Sequence, residues 1–231
     1  MKSEKVTRAA PARRRQWYED ACAAAHALDL LGERWALLVM RELMFGPRRF
    51  NELRARLPGL SANVLTQRLD GLEAAGVLVR RRLPPPASAQ VYELTAWGLE
   101  SEPIFQALGR WAARSPAHDP SLPFSAASLL LSLRTMLDAE RAAGLEARIG
   151  LLLDGEPYLA RLSHGTIAIE PGPVEDVQLI LDGAPRSIAA VLYGGQSLAA
   201  LEQAGALRLS GDRALAERLV TLFPLPPKAE G

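Results

Sequence analysis

The chain has 231 residues, of which 48% are hydrophobic and 23% charged, with a net charge of +1; this is an ordinary globular composition and excludes extended disorder. No apolar run reaches the roughly 20 residues that span a bilayer, and no apolar segment follows the basic N-terminus as in a signal peptide. We therefore expect a cytoplasmic protein without a membrane partner. The single cysteine, Cys22, excludes an internal disulfide, and with three scattered histidines the sequence predicts no metal site and no cofactor.

Charge is unevenly divided along the chain. Residues 1–116 carry 18 Lys and Arg against 12 Asp and Glu, whereas the remainder carries 9 against 14. A basic first half is suited to a polyanion, and a dimer would double its charge. The acidic second half is not expected to contact one.

A break in composition falls at residues 113–124, where three prolines interrupt the helical pattern on both sides. We place a domain boundary there. The sequence then predicts a flexible basic arm at 1–16, a first domain at 17–116 and a second domain at 117–231.

The first domain is predicted to contain helices, a β-hairpin and a closing helix. Apolar spacing and stop residues indicate, in chain order, helices at 18–32, 33–47, 49–59 and 61–76, strands at Val77–Arg82 and Val91–Leu94, and a helix at Ala96–Arg114. The fourth helix has Ser61 as its cap and ends at Gly76.

The helix predicted at 61–76 has two different sides. Its leucines share one side, and Asn63, Thr66 and Gln67 lie on the other. Asn and Gln can bond adenine in bidentate fashion, and a Thr methyl can contact thymine. This outer side is therefore a candidate for reading base edges in the major groove.

Acidic residues limit which part of that helix can approach DNA. Asp70 and Glu73 lie in its C-terminal half and would be repelled by phosphates. At the Ser61 end, the partial positive charge of the helix dipole would attract phosphates. We expect the N-terminal half to enter the groove, with Arg68 on the flank at a phosphate. The other predicted phosphate contacts are Arg48, Arg49, Arg80, Arg81 and Arg82.

The arrangement is that of a winged helix-turn-helix: three helices, of which the last, at 61–76, is polar on one side, and then a hairpin with arginines. Arginine runs also occur on ordinary solvated surfaces, and that alternative stays open for each run taken alone. The helix order and the arginines together favour DNA binding.

Specific motifs strengthen this interpretation. Four motifs stand out: GERW at 32–35, GPRRFNEL at 46–53, the pattern of Ser61, Leu65, Arg68 and Leu69, and YELT at 92–95. With them, the chain resembles the HxlR family of bacterial winged-helix transcription regulators over about residues 17–114. The resemblance implies a regulator, a repressor in our interpretation, that binds a pseudo-palindromic operator in double-stranded DNA as a homodimer. It also implies pairing through the first and last helices, with Leu108, Trp111 and the helix around Cys22 in the interface. Packing inside the domain is the alternative for these residues.

The sequence departs from that family at the DNA-facing positions. Ala62-Asn63 replaces a frequent Pro followed by a basic residue, Asp70-Gly71 stands where charged residues are common, and Ala89-Gln90 replaces a basic residue in the wing. The family's operator sequence therefore does not carry over.

The second domain is predicted to be α+β with a mainly antiparallel sheet. A helix at 125–144 precedes three strands within 147–172, and then come a strand at 176–183, helices at 187–195 and 197–205, a strand at 206–212 and a helix at 213–223. The segments LLLDGEPYLARLSHGTIAIEPG, DVQLILDG and GDRALAERL resemble the sterol-carrier-protein fold.

That resemblance implies an apolar cavity for a hydrophobic small-molecule effector. The candidate lining residues are Met136, Tyr158, Ile167, Tyr193 and Leu219. A simple core, with the domain serving assembly, is the alternative.

Cys22 offers a different means of sensing, because some HxlR regulators carry a reactive thiol near this position. Such a regulator would sense oxidants or electrophiles through Cys22, with a purely structural second domain. However, Glu19 and Asp20 would raise the pKa of the thiol and no cation lies within one turn. We therefore expect a buried structural thiol.

No catalytic motif is recognisable. The sequence shows no nucleophile elbow, phosphate-binding loop or paired-carboxylate motif, and the histidines have no evident partners. We do not expect an enzyme.

Overall fold

The computed structural model describes residues 18–86, 88–120, 122 and 124–230; the basic arm predicted at 1–16 lies outside them. The elements of the first half are α1 (Ala23–Leu31), α2 (Ala36–Leu43), α3 (Phe50–Arg56), α4 (Ala62–Ala74), β1 (Leu78–Arg82), β2 (Gln90–Leu94), α5 (Ala96–Leu99) and α6 (Glu102–Ala113). This confirms the predicted order of helices, hairpin and helix. Across the described ranges, no helix is both long and apolar enough to cross a membrane.

The closing helix of the first half differs from the prediction, because it is broken into α5 and α6. The buried Ser101 hydroxyl donates to the carbonyl of Gly98 at 2.6 Å in the break. Pro103 follows in the first turn of α6, where its missing N–H breaks no helical hydrogen bond. The apolar spacing continues across the break, so periodicity alone predicted one helix.

The core of the first half lies between α2, α4 and the hairpin. Val39 and Leu43 of α2 are buried together with Leu65 and Leu69 of α4. Strands β1 and β2 pair in antiparallel register, with Leu78 opposite Leu94. This packing fixes one side of α4 and leaves its other side exposed.

The second half is a five-stranded sheet covered by helices. Its elements are α7 (Ala126–Met136), β3 (Ala147–Leu153), β4 (Glu156–Ser163), β5 (Thr166–Pro171), β6 (Leu179–Gly183), α8 (Pro185–Leu192), α9 (Leu198–Gln203), β7 (Leu207–Gly211) and α10 (Arg213–Leu219). The strand order is β5-β4-β3-β6-β7, in which β3 and β6 are parallel and the other pairs are antiparallel. The mainly antiparallel α+β prediction is therefore confirmed.

The two halves pack on each other through α2, α6 and α7. The Ser125 hydroxyl, which caps α7, donates to the buried Glu42 carboxylate of α2 at 2.8 Å. Arg134 of α7 pairs with Glu102 of α6 at 2.6 Å. Polar groups of the first half are thus satisfied by groups of the second.

The C-terminal segment returns to the end of α6. Lys228 Nζ donates to the carbonyls of Ala113 and Ser115, both at 3.0 Å. The backbone N–H of Ala229 donates to the carbonyl of Arg114 at 2.7 Å. These donors satisfy carbonyls that a helix end leaves unpaired, and the lysine charge complements the helix dipole.

Candidate nucleic-acid interface

Helix α4 is held by three buried leucines, Leu65, Leu69 and Leu72. Its start is capped because the Ser61 hydroxyl accepts a hydrogen bond from the Val64 N–H at 3.3 Å. A capping serine stabilises a helix by about 1 kcal/mol, and buried leucines by several times that. The orientation of the outer side therefore follows from the core.

The three predicted base-reading residues, Asn63, Thr66 and Gln67, are all exposed on this outer side. The Thr66 hydroxyl donates to the carbonyl of Ala62 at 3.0 Å. Its donor is thus used within the helix, and the methyl group remains available for an apolar contact. Asn63 and Gln67 keep amide groups suited to base edges.

Arg68, predicted to contact phosphate, is mostly buried and paired with an acidic residue. Its guanidinium pairs with Glu33, before α2, at 3.0 Å, and the side chain is 20% exposed. Its Nε atom is buried without a hydrogen-bond partner among the described residues. The structure places Arg68 between α4 and the start of α2.

Arg80, predicted to contact phosphate, instead joins the hairpin of β1 and β2, which we call the wing, to α4. Its guanidinium pairs with Asp70 and, through Nε, with Glu73 at 3.0 Å. It also lies over the ring of Tyr92, with Cζ 5.5 Å from the ring centroid. Asp70 and Glu73 therefore have a structural role that the sequence did not indicate: through Arg80 they hold the wing against α4.

The remaining wing arginines face solvent. Arg81 pairs with Glu93 across the strands at 2.5 Å, yet its side chain stays 64% exposed. Arg82 is exposed and forms no ion pair within the described part of the chain. Both line a groove with Arg80, Ser88 and Gln90. Arg81 and Arg82 are thus wing arginines whose side chains remain exposed.

The two arginines of the turn before α3 differ in exposure. Arg49 is exposed at the start of α3, where its backbone N–H donates to Glu52 at 2.8 Å. The side chain of Arg48 is only 14% exposed and pairs with Glu156 of β4 at 2.9 Å. The prediction of Arg48 as a phosphate contact is corrected, because its guanidinium is directed into the second half.

The predicted ligand-lining residues belong to the core of the second half. Met136, Tyr158 and Leu219 are buried, and Ile167 and Tyr193 are partly buried and pack against the same core. The Tyr193 hydroxyl lies 2.9 Å from that of Ser132, and burial raises the pKa of Tyr193 to about 12. The Tyr158 hydroxyl, in addition, accepts a hydrogen bond from Arg48 of the first half at 2.9 Å.

Cys22 is not buried, which corrects the expectation of a structural thiol. It is exposed and occupies the cap position of α1. The N–H groups of Ala25 and then Ala24 lower the pKa of the thiol from its usual value. Proximity in sequence to Glu19 and Asp20 predicts the opposite direction, because residue types alone do not show that these N–H groups are directed at the thiol.

Helix α6 presents an apolar side to solvent. Trp111 is 75% exposed, and Ile104 and Leu108 are also exposed on the same helix. Leu28 of α1 is exposed as well. Only Phe105 and Ala113 of α6 are buried, so packing of Trp111 and Leu108 inside the domain is excluded.

Metal-ligating side chains do not cluster at this surface in the described part of the chain. Among the residues that the structure describes, no group of three or more His, Cys, Asp or Glu side chains could hold an ion. The arrangement consists of amides, a methyl group and arginines on one surface. It is suited to binding a polyanion.

The match to a protein family lies in the first half of the chain, over the helices and the hairpin described first. Residues 30–119 match the HxlR-like helix-turn-helix family. The HTH-type transcriptional regulator YvaP of Bacillus subtilis is 40% identical over 86 residues, which cover 37% of this chain and 80% of YvaP. The HTH-type regulator sll1512 of Synechocystis is 41% identical over 87 residues, covering 38% of this chain and 64% of that regulator. The solved structure of reduced YodB from B. subtilis is 34% identical and covers 42% of this chain and 98% of its own, with a TM-score of 0.39.

Proposed function

The chain belongs to the HxlR-like helix-turn-helix family, and from this we propose that it is a transcriptional regulator, a repressor, that binds operator DNA as a homodimer. The observation that carries the proposal is the exposed polar side of α4, held in place by three buried leucines beside the arginines of the wing. Asn63, Thr66 and Gln67 read base edges, and Arg49, Arg81 and Arg82 contact phosphates.

The proposed dimer uses the apolar side of α6 together with α1. Support comes from Ile104, Leu108 and Trp111, which are exposed on one side of α6, since contiguous exposed apolar residues mark interaction sites. Leu28 is an exposed apolar residue of α1. A two-fold axis there would place two copies of α4 on successive turns of a pseudo-palindromic operator.

The second half, residues 117–231 in our division, is proposed to have the sterol-carrier-protein fold and to bind a hydrophobic effector. Support comes from its element order and from the amphipathic helices that cover the sheet. For the effector to release the operator, it must bind more tightly to the conformation that does not bind DNA than to the one that does. Equal affinity for the two conformations would not change their populations.

Two measurements on the full chain test the proposal. Selection from a pool of random duplexes should enrich a two-fold symmetric sequence, and native mass spectrometry should show a dimer with any co-purifying small molecule attached. Enrichment of no sequence, or a monomer bound to single sites, would contradict the proposal.

A second candidate is a thiol-based regulator that senses oxidants or electrophiles through Cys22. The exposure of the thiol and its lowered pKa favour it. We expect Cys22→Ser to keep the affinity for the selected duplex and to lose any release by diamide. Fluorescence anisotropy with and without diamide measures both. A serine variant that still releases DNA on treatment would show that this alternative is wrong, because Cys22 is the only cysteine.

A further inference from the structure

The turn between α2 and α3 is held by the second half of the chain. Arg48 Nη2 donates to Glu156 Oε2 and to the Tyr158 hydroxyl, each at 2.9 Å. The other carboxylate oxygen of Glu156 pairs with Arg56 of α3. One acidic side chain at the start of β4 thus binds an arginine just before α3 and the arginine that ends α3.

Two aromatic rings lie on one side of this contact, and the Glu156 side chain stays 36% exposed on the other. The buried Tyr158 donates its hydroxyl to Glu156 at 2.7 Å. The ring of Phe45, at the end of α2, meets the Tyr158 ring edge-on with centroids 6.4 Å apart. A carboxylate that accepts three donors beside packed rings has a defined position, and removing one partner of such a cluster is costly.

The main chain of Arg48 continues this contact into the wing. Its N–H donates to the Tyr92 carbonyl at 3.0 Å, and the Tyr92 N–H donates to its carbonyl at 2.8 Å. Tyr92 lies in β2 beneath Arg80, which in turn pairs with Asp70 and Glu73 of α4. A continuous set of contacts therefore runs from Glu156 through the wing to the reading helix.

We propose that Glu156 is a positioning residue for DNA binding: by holding Arg48 it sets the position of the wing strand β2, and so of the wing arginines, relative to α4. The inference rests on the proposed function and adds a residue of the second half to it. A change in the second half that moved Glu156 would reach the DNA-binding surface along these contacts.

The alternative role for Glu156 is to hold Arg48 and Arg56 away from DNA and so to weaken binding. The contacts fit this role less well. The Arg48 side chain stays inside although its Nε atom is buried without a partner in the described structure. It is the main chain of Arg48, not its guanidinium, that forms part of the wing. The two roles predict opposite effects of removing the charge.

Glu156→Gln in the full chain tests the role, with the duplex enriched by the wild-type protein as the probe. We expect binding about fivefold weaker, the scale of effects along such networks. Glu170→Gln is the matched control, since Glu170 pairs with Arg161 on the neighbouring strand at 2.7 Å, and we expect it to bind like wild type. Affinity equal to that control, or tighter binding, would overturn the proposal.

A second background separates positioning from general damage. If Glu156 acts through the wing, Glu156→Gln should change affinity by less than about 1.5-fold in a protein that already carries Arg81→Ala and Arg82→Ala. An equal fold-loss in both backgrounds would overturn the role. Tyr158→Phe removes only the hydroxyl that bonds Arg48 and Glu156; it should show the same non-additivity and provides the test if Glu156→Gln does not fold.

The outcomes also separate this inference from the proposed function. If the wild-type chain enriches no duplex, the proposed function is wrong. If the wild type binds and Glu156→Gln behaves like Glu170→Gln, only the positioning role is wrong.

Discussion

Replacing Trp111 by glutamate is expected to convert the dimer to a monomer and to weaken operator binding by about 30-fold to 1,000-fold, the range of 2–4 kcal/mol typical of an interface hot spot. Trp111 is 75% exposed in the single chain, so the substitution leaves the fold intact. In a dimer built on α6, it would bury a carboxylate among apolar side chains without a partner. Sedimentation velocity and anisotropy titrations measure the two effects.

The control for that variant is Leu122→Glu. Leu122 is another exposed apolar residue, but it lies between α6 and α7 and not on the proposed interface. It should leave both mass and affinity unchanged. A Trp111→Glu protein that remains dimeric would place the dimer contact on another surface.

Replacing Asn63 and Gln67 together by alanine is expected to weaken binding to the selected duplex by at least about 30-fold, because each good base contact contributes about 1–3 kcal/mol. Binding to random DNA should change little, since the arginines that contact phosphate are untouched. Parallel anisotropy titrations on the selected and a scrambled duplex give the ratio.

Gln203→Ala serves as the control, since this exposed glutamine lies at the end of α9 in the second half. Equal losses on selected and scrambled DNA for the double variant would show that α4 does not read bases.

The sequence predicted the elements and the sides of α4 correctly because the signals are local. Periodic leucines, a capping serine and a terminal glycine act within a few residues of one another. The same holds for the hairpin strands and their turns. The break before Pro103 was missed because the apolar pattern continues through it.

The sequence did not predict the partners of the arginines, because these depend on tertiary contacts. Arg48 and Glu156 are 108 positions apart in the chain, and no local pattern relates them. Arg80 and Asp70 are close in sequence, but their contact depends on how the hairpin folds back onto α4. For Cys22, the composition of its neighbours indicated the wrong direction of the pKa shift because it carries no information on the direction of backbone N–H groups.

The lysine that closes the end of α6 has a consequence for how the protein unfolds. Lys228 comes from the second half and satisfies carbonyls of the first, just as Ser125 satisfies Glu42. If one half opened alone, the other would lose these hydrogen bonds, although Glu42 would keep its ion pair with Arg41 at 2.7 Å. Each lost hydrogen bond costs about 0.5–1.5 kcal/mol. These shared hydrogen bonds favour unfolding of the two halves together. Detachment of the C-terminal segment would also destabilise the end of α6, the helix proposed to form the dimer.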